Sequence, residues 1–302
     1  MLLLSAIPQF ATFLRTERNL APRTIAAYTY DLERFATWAQ AQLNRDVRVD
    51  QVETWLLKEY LATMVEDHHL KPTSQSRIVS TLRVFFRWLV EDGRIESNPA
   101  KSLRTPKKGR KLPLYLTPGE ARALAAAPSE EDDPALQLRD ETILILLLLT
   151  GMRLSEIVGL DVGDWDLEGG TLKVLGKGRK ERLIPLNPAA AAALDRWVRG
   201  RWRPMDDCRA LFLARDGSRI SPRSIQHAVK KAVKRRGLDP RISPHKLRHT
   251  FATTLYAEAT ELRDIQDLLG HANIASTSVY THTNVDRIRE AVRTLRLTDK
   301  SS

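Results

Sequence analysis

The sequence predicts a mainly α-helical protein in two parts. The first is an all-helical N-terminal bundle; the second is larger, mostly helical, and holds one small antiparallel sheet. Three observations carry this expectation. Apolar residues in the first hundred positions recur at helical spacing, with almost no strand signal. A basic segment containing Pro and Gly, KSLRTPKKGRK at 101–111, then interrupts the pattern. Beyond it only TLKVL (171–175) and RLIPL (182–186) read as strands, joined as a β-hairpin by the turn GKGRKE. A chain of 302 residues also exceeds one ordinary core, which fits two domains.

Taken in order, a short helix is expected around Ala6 to Leu14. Pro22 suits a first helical position, and Ile25, Tyr28, Leu32 and Phe35 follow on one face. Val52 to Val65 forms the next helix. Pro72 opens another, with Ile78, Leu82, Phe85, Phe86 and Leu89 on one face and Gly93 as its stop. The segment 101–111 has six basic residues and no acid, too little apolar surface for a core, and is expected as a linker. It is either a solvated hinge or a stretch laid across phosphates. Further helices are expected at 118–127, 135–150, 188–202, 221–236, 244–258, 261–269, 275–281 and 285–296. PSEEDDP (128–134) reads as an acidic surface loop. The expected domain bounds are 1–100, a linker at 101–115, and 116–302.

The formal charge is +11, with 17 Lys and Arg against 12 Asp and Glu in residues 1–110 and 31 against 25 in the remainder. Both parts are basic, which a detachable basic tail would not produce. A polyanionic partner fits, although a charge excess is also an ordinary solvated surface. The single cysteine, Cys208, allows no internal disulfide, and no residues stand at metal-ligand spacing. No metal or cofactor is expected. MLLLSAIPQF has no basic n-region, and Pro8 and Arg15 come too soon for a signal sequence. The run ILILLLL (143–149) is shorter than the roughly 20 residues of a membrane span and reads as a buried helix. A cytoplasmic protein with no membrane partner is expected.

Four stretches hold residues of chemical interest. In ISPHKLRHTFATTL (242–255), Ser243 and Pro244 suit the start of a helix, and Leu247, Phe251 and Leu255 form its buried stripe. His245 and Arg248, three apart, are either a surface pair or an anion site near the positive helix end. In TGMRLSEIVGL (150–160), Arg153 stands among apolar residues and needs an anionic partner, either Glu156 or a bound phosphate. In LGKGRKERL, Lys177 sits between two glycines at the hairpin tip, either a plain turn or a place of close approach to another molecule. It lacks the spacing of a nucleotide-binding P-loop. In LLGHANIASTSVYTH (268–282), Gly270 stops a helix, His271 emerges beyond it, and Tyr280 is either an amphipathic side chain or a nucleophile.

Together, two arginines, a lysine, two histidines and a tyrosine are the parts needed for transesterification at a phosphodiester. Guanidinium forks hold non-bridging oxygens and oppose charge growing on five-coordinate phosphorus. A phenol with a pKa of about 10 needs help to attack at neutral pH, and a departing sugar oxygen needs a proton. No acid or histidine grouping suits a two-metal nuclease.

With these four motifs in this order, the sequence resembles the tyrosine recombinases, most closely the Xer-type site-specific recombinases, over nearly its whole length. The resemblance implies a helical, SAM-like core-binding domain, a basic linker, and a mixed α/β, mostly helical catalytic domain with a C-terminal exchange helix. It implies that Tyr280 forms a 3′-phosphotyrosyl bond to DNA, that Arg153 and Arg248 clamp the scissile phosphate, and that Lys177 protonates the 5′ oxygen. His245 becomes the general base or proton shuttle, and His271 a hydrogen-bond donor to a phosphate oxygen. It implies action without ATP or metal, as a homo- or hetero-tetramer on two double-stranded DNA sites. A second Xer-type recombinase and a septal DNA translocase are possible partners by the same resemblance, which would place the protein at the nucleoid. NVDRIREAVRTLRL (284–297), with Val285, Ile288, Val292 and Leu295 at helical spacing, either docks on a neighbouring subunit or packs on its own. No extra N-terminal arm-binding domain is evident. Resolution of chromosome or plasmid dimers is the expected role. Integration of a mobile element is the nearest rival; a non-catalytic DNA-binding relative and a type IB topoisomerase fit less well.

Overall fold

The computed structural model describes residues 1–302 except 68, 107–113, 128–132, 177–180, 202–207 and 258–302. It divides into two compact units, Met1–Lys111 and Leu112–Ser302. No helix among the described residues is long and apolar enough to cross a membrane.

The first unit is a helical bundle of α1 (Leu3–Thr16), α2 (Pro22–Leu43), α3 (Thr54–Glu66) and α4 (Pro72–Glu91). Proline opens both long helices after a residue in extended conformation, Ala21 or Lys71, so the missing N–H costs no helical hydrogen bond. Asn44 closes α2 in the left-handed region that asparagine tolerates better than most residues, and Gly93 turns with φ +68° just beyond α4. The predicted faces are the buried ones: Phe10, Phe35, Tyr60, Phe85 and Phe86 are at most 1% exposed. Phe10 meets Phe85 edge-on at 5.2 Å, and Phe85 meets Phe86 at 5.1 Å. This core also takes in Ala100 and Leu103, so packed chain reaches into the segment expected as linker.

The second unit is built around α6 (Pro134–Thr150), which packs against α5 (Pro118–Ala125), α8 (Pro188–Gly200), α9 (Pro222–Arg235) and α10 (Pro244–Ala257). Neighbours on nearly every side explain why ILILLLL has no polar face. Asp133 and Asn187 cap α6 and α8 through their side chains, and Thr117 with Glu120 forms a capping box on α5. Trp197 of α8 is fully buried, stacks on Phe212 at 5.8 Å, and donates its indole N–H to the Leu211 carbonyl at 2.9 Å.

Among the described residues, two elements besides the 3-10 turns Val49–Gln51 and Val162–Asp164 escaped the sequence-based expectation. A six-residue helix, α7 (Leu154–Gly159), follows the turn that ends α6, and a two-residue strand, β1 (Trp165–Asp166), widens the hairpin. The sheet is therefore three antiparallel strands, β1, β2 (Thr171–Leu175) and β3 (Glu181–Pro185), in sequence order. Neither added element is long enough to show a period. The helices expected at 261–269, 275–281 and 285–296 lie outside the described residues.

Candidate active site

The site forms where the end of α6, the start of α7, β3 and α10 converge. Gly151 ends α6 with φ +60°, a left-handed conformation that suits glycine, and the chain re-enters a helix at Leu154. Arg153 occupies the intervening N-cap position. Its backbone N–H donates to Oε2 of Glu156 at 2.8 Å, and its Nη1 donates to Oε1 at 2.9 Å. One carboxylate thus caps α7 and fixes the guanidinium. Arg219 donates to the Val158 and Leu160 carbonyls at 2.8 and 3.0 Å, which secures the far end of α7.

Arg182 of β3 reaches the same carboxylate from the sheet. Its Nη1 and Nη2 donate to Oε1 and Oε2 of Glu156, both at 2.9 Å, in a fork-to-fork pair. The pair is buried, with side-chain exposures of 6% and 3% for Arg182 and Glu156. Arg153 is more open, at 34%.

Arg248 enters from α10. Leu247, Phe251 and Leu255 are buried as the helical stripe predicts, and the Leu116 N–H donates to Thr250 Oγ1 at 3.0 Å, so α10 is held to the chain before α5. Arg248 is itself buried, and its Nη1 donates to the Gly151 carbonyl at 2.7 Å. Burial pushes this guanidinium down to about 10, the charge of Arg153 adds to the shift, Glu156 opposes it, and Arg182 adds a little more. It remains a cation at neutral pH, but one held in an unfavourable setting.

Burial by itself pushes the Glu156 carboxyl up. Hydrogen bonds from Arg182 and the Arg153 amide, with the charge of Arg182, outweigh it and hold the group below its ordinary range. The consequence for stability has a definite sign. A depressed carboxyl stabilises the fold above its unfolded pKa, and that contribution is lost as pH falls through the lower, folded value. Glu156→Gln should therefore melt earlier than the parent at neutral pH, with the gap narrowing as the solution is acidified below about 4.5. Melting temperatures at several pH values measure this; a constant gap would mean the carboxylate does not titrate as described.

Of the residues singled out from sequence, Arg153 and Arg248 are brought together. His245 lies on α10 one turn before Arg248 but is exposed, so the two do not share one environment. Lys177, His271 and Tyr280 lie outside the described residues. Glu156 was foreseen as one of two alternatives for Arg153. Arg182 was not foreseen, since it reads as an ordinary polar position in a half-buried strand. Among the described residues no group of three or more His, Cys, Asp or Glu could hold a metal ion.

The four side chains bring three guanidiniums to one carboxylate in a largely buried setting. Guanidinium forks gathered in this way suit a phosphate that presents two non-bridging oxygens.

The chain is similar to known proteins over nearly its whole length. Residues 115–287 match the phage integrase family, and residues 7–93 match the phage integrase N-terminal SAM-like domain. The tyrosine recombinase XerC of Pelobacter propionicus is 40% identical over 288 residues, covering 95% of this chain and 94% of that protein. Among solved structures, the Tn1549 transposon integrase in complex with circular intermediate DNA shares the fold, with a TM-score of 0.72 at 20% identity over 95% of each chain. A lambda integrase tetramer bound to a Holliday junction shares it at 0.67 and 21% identity, over 93% of this chain and 80% of that one.

Proposed function

The chain belongs to the phage integrase family of tyrosine recombinases, and we propose that it exchanges DNA strands through a covalent tyrosyl intermediate, using the arginine cluster as its phosphate clamp. It is a site-specific DNA recombinase, and its fold is that of integrases solved on DNA. The observation that carries the mechanistic reading is the gathering of the Arg153, Arg182 and Arg248 guanidiniums around Glu156.

The Tyr280 phenol gives its proton to His245 as its oxygen attacks the scissile phosphorus. Arg153 and Arg248 hold the non-bridging oxygens, with a further hydrogen bond from His271, and oppose the charge that gathers there in the transition state. The bond from phosphorus to the 5′ oxygen breaks, and that oxygen takes a proton from Lys177. The product is a 3′-phosphotyrosyl ester and a free 5′ hydroxyl. Attack by a 5′ hydroxyl from the second duplex reverses these events and restores the phenol. Bond energy stays in the ester, so the reading needs neither ATP nor a metal.

On this reading the N-terminal unit and the segment after it grip the duplex, the C-terminal unit cuts it, and the segment 284–297 joins subunits into a tetramer, homomeric or with a second Xer-type recombinase. Identity of 40% to XerC over nearly the whole of both chains favours resolution of chromosome or plasmid dimers at the nucleoid, under a septal translocase where one exists, over integration of a mobile element. The test is a substrate carrying the protein's site with a nick placed so that the short cleaved strand diffuses away. With a chelator present, a protein–DNA adduct resistant to denaturant should accumulate. No adduct on a substrate that the protein binds specifically would remove the covalent mechanism.

A further inference from the structure

The strand β3 breaks its own pattern at one place. Val174 of β2 pairs with Arg182, and this pair lies on the face that also holds Leu172 and Ile184, both fully buried. Arg182 therefore points inward at 7% exposure, while its neighbour Leu183 points outward at 44%. Burying an arginine and exposing a leucine next to it is the reverse of what burial free energy favours. A register moved by one residue would correct both and would lose the fork-to-fork contact with Glu156.

That contact has a consequence for Arg153. A carboxylate accepts about four hydrogen bonds. Glu156 receives two from Arg182, one from the Arg153 amide and one from the Arg153 guanidinium. Without Arg182, two acceptor positions open on a buried anion whose nearest remaining cation is Arg153. Arginine and carboxylate favour a bidentate pair, and Arg153, three residues away on the same turn, is placed to form it.

We propose that Arg182 is a positioning residue for strand cleavage: by occupying the Glu156 carboxylate from β3, it keeps Glu156 from drawing the Arg153 guanidinium away from the scissile phosphate. The inference rests on the reading of Arg153 as a phosphate clamp. The effect of Arg182 runs through the carboxylate charge it neutralises.

The experiment compares single-turnover adduct formation on two nicked substrates, one with the natural scissile phosphate and one with a methylphosphonate there. The methyl group removes the negative charge that Arg153 opposes. Arg182→Gln should cleave the phosphate substrate roughly 10- to 100-fold more slowly than the parent, the usual scale for removing a group that orients another. On the methylphosphonate it should cleave within about threefold of the parent. The double variant Glu156→Gln with Arg182→Gln carries no buried carboxylate to capture Arg153, and glutamine still accepts from the Arg153 amide as a capping box allows. It should recover most of the lost rate on phosphate, a coupling that a merely structural role would not give. Equal slowing on both substrates, with no recovery in the double variant, would overturn the proposal, as would parent-like cleavage by Arg182→Gln. Arg153→Ala serves as the reference. Parent-like cleavage by that variant would remove the clamp itself, whereas its failure beside an active Arg182→Gln would remove only the role of Arg182.

Discussion

Tyr280→Phe should bind its DNA site as the parent does and form no covalent adduct. The phenyl ring keeps the shape and apolar area of the tyrosine, so whatever packing places the ring is preserved and affinity should stay within about twofold. What it lacks is the one oxygen that can become bonded to phosphorus. Losing the nucleophile of a covalent mechanism removes a step that nothing else in the site supplies, an effect on the order of 10⁶-fold. Water could still reach a phosphate held by Arg153 and Arg248, but it would release a nicked strand and leave no protein attached. A denaturing gel on the nicked substrate separates these outcomes. Adduct at parental yield from the phenylalanine variant would move the nucleophile to another residue. Slow nicking without adduct would keep the assignment and show that the clamp works without its tyrosine.

Much of the architecture was legible because long helices repeat their pattern. In α2, α4 and α10 the apolar residues mark the buried face over several turns, and proline marks the start of each. The central helix α6 was legible for the opposite reason: a run with no polar face must be surrounded. Short elements gave no such signal. In α7, six residues make fewer than two turns, and its N-terminus is set by Glu156 reaching back to Arg153, a contact that also serves the site. The two residues of β1 are defined by pairing with β2, which is a tertiary fact and not a local preference.

The site was legible as a set of residue types and less so as an environment. His245 and Arg248 are three apart, which places them about 60° from each other around the helix. That is enough for Arg248 to lie inside the edge of the buried stripe and His245 outside it. Nor could spacing decide whether Glu156 or a phosphate partners Arg153. Glu156 does pair with it, yet Arg182 takes the same carboxylate from the sheet. Arginine carries five N–H donors, so pairing with Glu156 and holding a phosphate are compatible. The inward turn of Arg182 was hidden because RLIPL offers a leucine or an isoleucine to either face. Only the pairing with β2 decides which one faces the core.

The other large effect is expected at Arg248, where stability and activity should separate. Its guanidinium is buried beside two like charges, and these together depress it to about 10. In the DNA-free protein that charge is a burden that a bound phosphate would relieve. Arg248→Gln removes the burden and weakens or loses the hydrogen bond to the Gly151 carbonyl. The first change stabilises, and the second costs roughly 0.5–1.5 kcal/mol, so the variant should unfold within about 1 kcal/mol of the parent. For a unit of this size that is a shift in Tm of no more than about 4 °C. The transition state has no such compensation, because charge grows on the phosphate oxygens where the guanidinium has gone. Loss of one preorganised donor of this kind slows chemistry by about 10²–10³-fold. The rise in Tm on adding site DNA should also shrink, since the variant gains less from the bound anion. A melting curve and a single-turnover cleavage assay on the same preparation test both halves. A variant that melts many degrees lower yet cleaves normally would make Arg248 a brace for the turn at Gly151 and leave the clamp to Arg153 alone.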